Sequence, residues 1–197
     1  MLQSNFSALI DDRPEENLFR IHRRIYTDQD VFDAEMERIF EQSWTYVCHE
    51  SQIPKPGDYY SVKLGREPVL INRRDDGSVG GLLNACAHRG ALLNPTQRGN
   101  ARILVCRYHG WSFAADDGRC VKIKDPFGED PACYALRKVP RVESYKGFVF
   151  ATLNEASPTL EEHLGAASTI VDMLAEQSNE GMELSLIHIS EPTRRLS

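Results

Sequence analysis

Short runs of apolar residues, separated by turn-forming residues, fill the middle of the chain. Runs rich in β-branched, aromatic and aliphatic residues are typical of β-strands. The pairs Asp76-Gly77, Asp117-Gly118 and Lys146-Gly147 lie between such runs and predict tight turns. The pattern therefore predicts a mainly β domain of small antiparallel sheets. The predicted strands are 44–48, 59–64, 68–72, 79–84, 102–105, 111–113, 120–123, 139–144 and 148–153.

Helical periodicity is found on either side of this domain. Thr27-Asp28 offers an N-cap before apolar residues at helical spacing, which predicts an amphipathic helix over 28–42. Thr159 and Glu162 can form a capping box, and the apolar positions after them predict a helix that runs to about residue 177. The apolar stripe of the first helix could pack within the chain or against another subunit, and the sequence is compatible with both arrangements.

Composition and charge fit a globular protein. The chain is 41% hydrophobic and 26% charged. No apolar run approaches the ~18 residues of a membrane span, and the first residues lack the basic start and apolar core of a signal peptide. We therefore expect a cytoplasmic protein with no membrane partner. The formal net charge of −6 argues against a nucleic-acid partner.

The five cysteines do not suggest a disulfide framework, because their number is odd and their spacing is wide. Three of them, Cys48, Cys120 and Cys133, are expected to be buried small hydrophobes. The other two belong to a motif with histidines.

Two short segments carry the candidate chemistry. The first is Cys86-Ala87-His88-Arg89-Gly90, and the second is Cys106-Arg107-Tyr108-His109-Gly110-Trp111, with 17 residues between the first histidine and the second cysteine. Two Cys and two His ligands suit a tetrahedral zinc ion or a Rieske [2Fe–2S] cluster, in which two His replace two Cys on one iron. The glycines let backbone N–H groups approach a cluster closely, and Trp111 can cover it.

The pattern C-x-H-R-G…C-x-Y-H-G-W closely resembles the Rieske domain of ring-hydroxylating oxygenase α subunits. The resemblance implies two hairpin-like elements whose tips meet at one [2Fe–2S] cluster. It assigns Cys86 and Cys106 to one iron, and His88 and His109 to the other. The outer N–H groups of the histidines would then face solvent or a neighbouring protein.

Other residues of the two loops are candidates for contacts around the cluster. Arg89 and Tyr108 either influence the cluster or simply pack, and the sequence leaves both readings open, while Trp111 is expected as a cover. Respiratory-complex Rieske proteins carry an additional Cys in each ligand loop, where this chain has Ala91 and Tyr108. The resemblance thus implies a centre of the oxygenase type, with a potential near roughly −150 mV.

Further segments, 49–54, 84–90, 143–145 and 160–165, look most like benzoate-, toluate- and anthranilate-type dioxygenase α subunits. That resemblance implies a reductase or ferredoxin as electron donor, and trimeric α subunits with possible β subunits. It also implies a mononuclear Fe(II), held by two His and one carboxylate in the full-length protein only, which activates O2 to form a cis-diol on an aromatic acid. We find no such triad in this sequence, so the chain is expected to be catalytically incomplete.

The expected divisions are an N-terminal arm and helix over 1–43, with residues 1–26 irregular, and a Rieske domain over 44–155. Residues 156–183 would begin a truncated catalytic domain. Residues 184–194 read LSLIHISEPTR, which resembles a translated sequencing adapter, so 184–197 is expected to be non-native.

Two other functions explain the ligand motif. A stand-alone Rieske ferredoxin would use the same ligands, but it would not explain the flanking helices. A structural zinc module is the third reading. The segment 86–124 holds seven basic and two acidic residues, which is either a solvated face or a docking patch for an acidic electron donor.

Overall fold

The computed structural model describes residues 6–124, 130–177 and 182–183. Its strands are β1 (Ile10–Arg13), β2 (Leu18–Ile21), β3 (Thr45–His49), β4 (Asp58–Leu64), β5 (Glu67–Arg73), β6 (Val79–Leu83), β7 (Arg98–Asn100), β8 (Ile103–Val105), β9 (Ser112–Ala114), β10 (Cys120–Lys122), β11 (Arg141–Tyr145) and β12 (Phe148–Thr152). Its α-helices are α1 (Gln29–Glu35), α2 (Leu160–Leu164) and α3 (Ser168–Ala175).

Three antiparallel sheets form the β domain, in the orders β6-β5-β4-β7, β10-β9-β8 and β11-β12-β3. The predicted mainly β fold is confirmed, and every predicted strand is present with ends that differ by one or two residues. Strand β7 was not predicted, because Arg98-Gly99-Asn100 has no strand pattern. It pairs with the edge of β4, and a Cβ at Gly99 would lie 2.5 Å from the hydroxyl oxygen of Tyr59, so the close pairing needs a glycine.

The four-stranded sheet lies between two apolar cores, and the middle of its strand β5 is buried on both faces. Leu70 of β5 belongs to the core that includes Phe113 of β9. Its neighbours Val69 and Ile71 point the other way, into the core that includes Val149 of β12. This alternation follows the two-residue period of a strand, and it places the β8–β10 sheet, which carries the second of the two motif segments, on one side of the central sheet.

The N-terminal segment is a hairpin, so the expected irregular arm is wrong. Strands β1 and β2 pair antiparallel from Ile10 opposite Ile21 to Arg13 opposite Leu18. A short 3-10 turn joins them and ends at Asn17, whose φ of 53° is a left-handed conformation that Asn adopts more readily than most residues.

The first predicted helix is confirmed in position but not in regularity. The Asp28 carboxylate accepts the Asp30 N–H at 3.0 Å, as expected of an N-cap. After α1 the chain continues as a π-helical turn over Met36–Phe40. This turn leads to Glu41, whose carboxylate pairs with Arg66 at 2.7 Å and ties the N-terminal segment to the β4–β5 turn.

The second predicted helix is broken into two. The Glu162 N–H donates to Thr159 Oγ1 at 3.2 Å, and the Thr159 N–H donates back to the Glu162 carboxylate at 2.9 Å, so the predicted capping box is confirmed. Gly165, with φ of 46°, then ends α2 before α3 begins at Ser168. A glycine adopts this backbone conformation without the steric cost that other residues pay.

Residues 184–197 lie outside the described residues, as does most of the loop over 125–130. The division of the chain at 43, 155 and 183 therefore stays a prediction. Within the described ranges, none of the helices combines the length and the apolar character needed to cross a membrane.

Candidate metal centre

The two motif segments fold into turns with the same backbone hydrogen bonds. In the first, the Gly90 N–H donates to the Cys86 carbonyl oxygen at 2.8 Å, and in the second, the Gly110 N–H donates to the Cys106 carbonyl oxygen at 3.0 Å. The cysteine N–H groups donate to the carbonyl oxygens five residues later, both at 2.8 Å. Both glycines have positive φ, 71° and 69°. Each turn therefore presents its cysteine in the same way, as two hairpin tips would.

The sulfur atoms lie inside the protein. Cys86 is 3% exposed and Cys106 is 2% exposed, and both belong to the core under the ligand loops. Burial raises the pKa of the Cys86 thiol, and the neighbouring Cys106 thiol, a hydrogen-bond partner, raises it further. The backbone N–H groups of His88 and Arg89 oppose this rise, because they hydrogen-bond to the Cys86 sulfur. Amides that point at sulfur would also stabilise a sulfur-ligated cluster.

The two imidazoles lie together at the surface. The ring centroids of His88 and His109 are 4.8 Å apart, with the planes at 80°, and both residues are exposed. The nitrogen donors of the motif are thus accessible from outside, while the sulfur donors are not.

Two further side chains contact the imidazoles. The Trp111 ring is stacked on His88, with centroids 4.8 Å apart and planes at 8°. Arg89 Nη2 lies 3.0 Å from His109 Nε2. Trp111 is buried, as expected of a cover, whereas Tyr108 is 76% exposed and its ring lies 6.3 Å from that of His109.

Asn84 closes the base of the first loop, and the motif search missed this residue. It is fully buried, its Nδ2 donates to the Asn94 carbonyl oxygen at 2.7 Å, and its Oδ1 accepts the Asn94 N–H at 2.9 Å. Because a buried amide needs partners for both ends, this pairing fixes the loop ends on either side of Cys86. The available signal was an Asn at the end of an apolar strand, directly before a ligand loop.

The basic segment 86–124 is less positive at its surface than its composition suggests. Arg102 pairs with Asp75 at 3.0 Å, and Arg119 pairs with Asp117 at 2.9 Å. Among the described residues, exposed cations in or beside the loops include Arg89, Arg107 and Lys124, and the Lys124 side chain lies against Gly110.

Among the residues that the structure describes, the cysteines and histidines outside the motif do not join the site. Cys48 and Cys120 are buried, as expected, but Cys133 is exposed, so that part of the prediction is wrong. His49 is buried, and its Nδ1 accepts the N–H of Ser51 at 3.2 Å, so its environment is locally satisfied.

The donors are therefore divided into a buried pair of sulfurs and an exposed pair of imidazoles. A Rieske cluster uses this division, because Cys86 and Cys106 would bind one iron while His88 and His109 would bind the other. Within the described residues, no three His, Cys, Asp or Glu side chains converge on one metal ion. A two-iron cluster makes a different demand, since each iron takes only two protein ligands. The residues present fit the cluster.

Comparison with known proteins agrees with this geometry. The family model described as "Rieske [2Fe-2S] domain" matches residues 43–145, which is more than half of the chain. Over 184 residues the chain is 41% identical to the toluate 1,2-dioxygenase subunit alpha of Pseudomonas putida, a match that covers 90% of this chain and 40% of that protein. It is 40% identical to the anthranilate 1,2-dioxygenase large subunit of Acinetobacter baylyi, over 91% of this chain and 39% of that protein.

The fold is also found in a solved structure of naphthalene 1,2-dioxygenase from Rhodococcus sp. bound to indole, with a TM-score of 0.76 and 33% identity. That match covers 83% of this chain and 38% of the other. The chain thus spans about 40% of the length of the relatives it matches. The motif, the paired turns and these matches together show that the chain belongs to the Rieske [2Fe–2S] domain family, with relatives that are large subunits of ring-hydroxylating dioxygenases.

Proposed function

We propose that this chain holds a [2Fe–2S] cluster and carries electrons within an aromatic ring-hydroxylating dioxygenase α subunit. The observation that carries the proposal is the meeting of two equivalent turns, which brings buried Cys86 beside Cys106 and exposed His88 beside His109. When bound, the cluster supplies a centre that gains and loses one electron at a time. In this proposal, neither turn contributes an acid, a base or a nucleophile.

The cysteine side and the histidine side of the site have different roles in this proposal. The core around Cys86 and Cys106 excludes water from the sulfur side, and backbone N–H groups aimed at the Cys86 sulfur offset its negative charge. His88 and His109 lie at the surface, so the shortest path for an electron between the site and a partner runs through their rings. We therefore propose that electrons are exchanged with other proteins on the side where the two imidazoles are exposed.

The donor would dock on the ligand-loop face, which we define as Arg89, Arg107, Tyr108 and Lys124. All four are exposed: Arg89 and Tyr108 lie beside the His109 ring, Arg107 is in the same turn, and the Lys124 side chain lies against Gly110. An aromatic ring among cations is a composition typical of binding surfaces, and the charge favours an acidic reductase or ferredoxin. Attraction of this kind weakens as salt screens it.

Arg107→Gln tests the docking proposal, with Arg102→Gln as a control that removes the same charge from an arginine already paired with Asp75. Stopped-flow reduction by an acidic [2Fe–2S] ferredoxin should be slower for the first variant and less dependent on salt. The control should keep most of the wild-type rate. Equal reduction rates in both variants, or a wild-type reduction rate that does not change with ionic strength, would exclude this face as the docking site of the donor.

The whole protein's activity is also a proposal. The relatives are named as subunits of toluate and anthranilate dioxygenases, so we propose cis-dihydroxylation of an aromatic acid, with a mononuclear Fe(II) in a part of the protein that this chain lacks. We also propose trimeric α subunits, with possible β subunits. Recovery of the complete coding sequence tests this: two His and one carboxylate at ligand spacing should follow the Rieske domain. Their absence would favour a stand-alone Rieske ferredoxin.

Metal analysis separates the proposal from a zinc module. After anaerobic reconstitution, the protein should contain two irons and two acid-labile sulfides per chain. Cys120→Ser is a matched control for Cys86→Ser, because both thiols are buried while Cys120 lies outside the turns. Only the Cys86 variant should lose iron. One zinc per chain, with no labile sulfide, would contradict the proposal.

A further inference from the structure

Each candidate histidine is contacted by a side chain from the opposite loop. Trp111, which follows the second loop, is stacked on His88 of the first. Arg89, in the first loop, contacts His109 of the second. The two supports are exchanged between the loops, but they are chemically unlike: one is a neutral aromatic face, and the other is a cation.

The support of His88 is part of the core. Trp111 is 5% exposed, and the Tyr134 ring meets it edge-on with centroids 4.8 Å apart and planes at 70°. Phe113 lies on the same side, with its centroid 6.5 Å from that of Trp111. Close-packed interiors hold their side chains in single positions, and aromatic pairs add orientation to that packing. The plane of His88 is therefore set from inside the protein.

The support of His109 is at the surface. Besides His88, Arg89 and Tyr108 lie beside the His109 ring. Both of these residues are exposed. Arg89 approaches the ring at Nε2, with its Nη2 3.0 Å from that nitrogen. A long exposed side chain loses little by moving, so Arg89 restricts the orientation of His109 less than Trp111 restricts that of His88. It does, however, place a positive charge beside one of the two nitrogen donors.

We infer that the two histidines are held unequally: Trp111 is a positioning residue that fixes His88, whereas Arg89 acts on His109 through its charge. This inference rests on the proposed function, since it concerns how the chain prepares the site for the cluster. Loss of the Trp111 ring should change the orientation of one imidazole. Loss of the Arg89 charge should leave both imidazoles in place but make the site less favourable for an added electron, because a nearby cation stabilises the more negative state.

The experiment uses the reconstituted 197-residue protein and two pairs of variants, Trp111→Leu with Trp111→Phe, and Arg89→Gln with Arg89→Lys. Pulsed EPR of the reduced protein measures the hyperfine couplings of the two histidine nitrogens, and a redox titration measures the potential. Trp111→Leu should change the coupling of one nitrogen and leave the other unchanged, and Trp111→Phe should restore it. Arg89→Gln should lower the potential without changing either coupling, and Arg89→Lys should stay closer to wild type.

If Trp111→Leu does not take up iron, Tyr134→Leu provides the second test, because it removes the edge-on support while Trp111 remains. It should shift the same coupling by a smaller amount. Unchanged couplings in Trp111→Leu would overturn the positioning role of Trp111. If Trp111→Leu binds no iron, unchanged couplings in Tyr134→Leu would overturn it instead. An unchanged potential in Arg89→Gln would overturn the charge effect. A wild-type protein without a Rieske signal would instead overturn the proposed function itself, before any variant is compared.

Discussion

Replacement of Gly90 by alanine isolates the backbone requirement of the first ligand turn. Gly90 has φ of 71°, and among the described residues, its two chain neighbours aside, no atom lies within 4 Å of the position where a Cβ would stand. The cost is therefore backbone strain without a clash. A left-handed conformation costs a non-glycine residue roughly 1–2 kcal/mol, and the alanine stiffens the unfolded chain by about 0.4–1 kcal/mol in the opposite sense. The net loss of stability should be about 1 kcal/mol.

Gly77→Ala is a matched control for this substitution. Gly77 lies in the β5–β6 turn, outside the two ligand turns, with φ of 85° and equally open space around its missing Cβ. A loss of about 1 kcal/mol should lower the midpoint of thermal unfolding by about 2–4 °C in a protein of this size. Both variants should show this shift. Only Gly90→Ala should also lose iron, because strain at this position would disturb the N–H hydrogen bond to the Cys86 carbonyl oxygen that closes the turn.

Circular dichroism during heating and iron analysis of the purified protein check both parts. A Gly90→Ala protein that unfolds at the wild-type temperature would refute the strain argument. A loss several times that of Gly77→Ala would show that the space beside Gly90 is filled in the loaded protein. Equal iron contents in the two variants would refute the link between this turn and the site.

Three other changes give separate tests. Cys86→Ser or His109→Cys should abolish or convert the Rieske spectrum, because the ligand set defines the charge on the two irons, and an unchanged optical spectrum would rule out the ligand assignment. Burial raises the pKa of the Cys48 thiol to about 12, against about 8.5 in an unfolded chain. The contribution of this group to the free energy of unfolding is therefore complete below pH ~8.5 and decreases as the pH rises to ~12. In urea titrations, Cys48→Ala should make the free energy of unfolding decrease less steeply over this pH range. Thr159→Ala should cost about 1 kcal/mol in thermal unfolding because it removes the capping box with Glu162, and an unchanged midpoint would contradict that role.

The strands could be predicted because their apolar runs and turn residues are local features. Strand β7 could not be predicted, because its pairing with β4 depends on a contact between residues far apart in sequence. Gly99 leaves room for the side chain of Tyr59, its partner in β4. The N-terminal hairpin was missed for a similar reason. Its strands carry no alternating pattern, and the turn depends on the left-handed backbone of Asn17. The break at Gly165 was also missed, because the apolar positions keep their helical spacing across it.

The sequence names candidate ligands for the site, but it does not give the surroundings of those residues. A motif names Cys86, His88, Cys106 and His109 because spacing within each loop is local. The contacts of Trp111 and the buried amide pair at the base of the first loop depend on which loops meet in space. The spacing of residues along the sequence does not show which loops contact each other in the folded protein.

The most direct test of the central claim is the EPR spectrum of the reduced, reconstituted protein with ¹⁵N-labelled histidine. We expect a Rieske-type signal from one [2Fe–2S] cluster per chain, with hyperfine coupling to two histidine nitrogens, from His88 and His109. Loss of one coupling in His109→Cys would complete the assignment. A protein that binds iron without histidine coupling, or that gives no signal and holds zinc, would contradict the account.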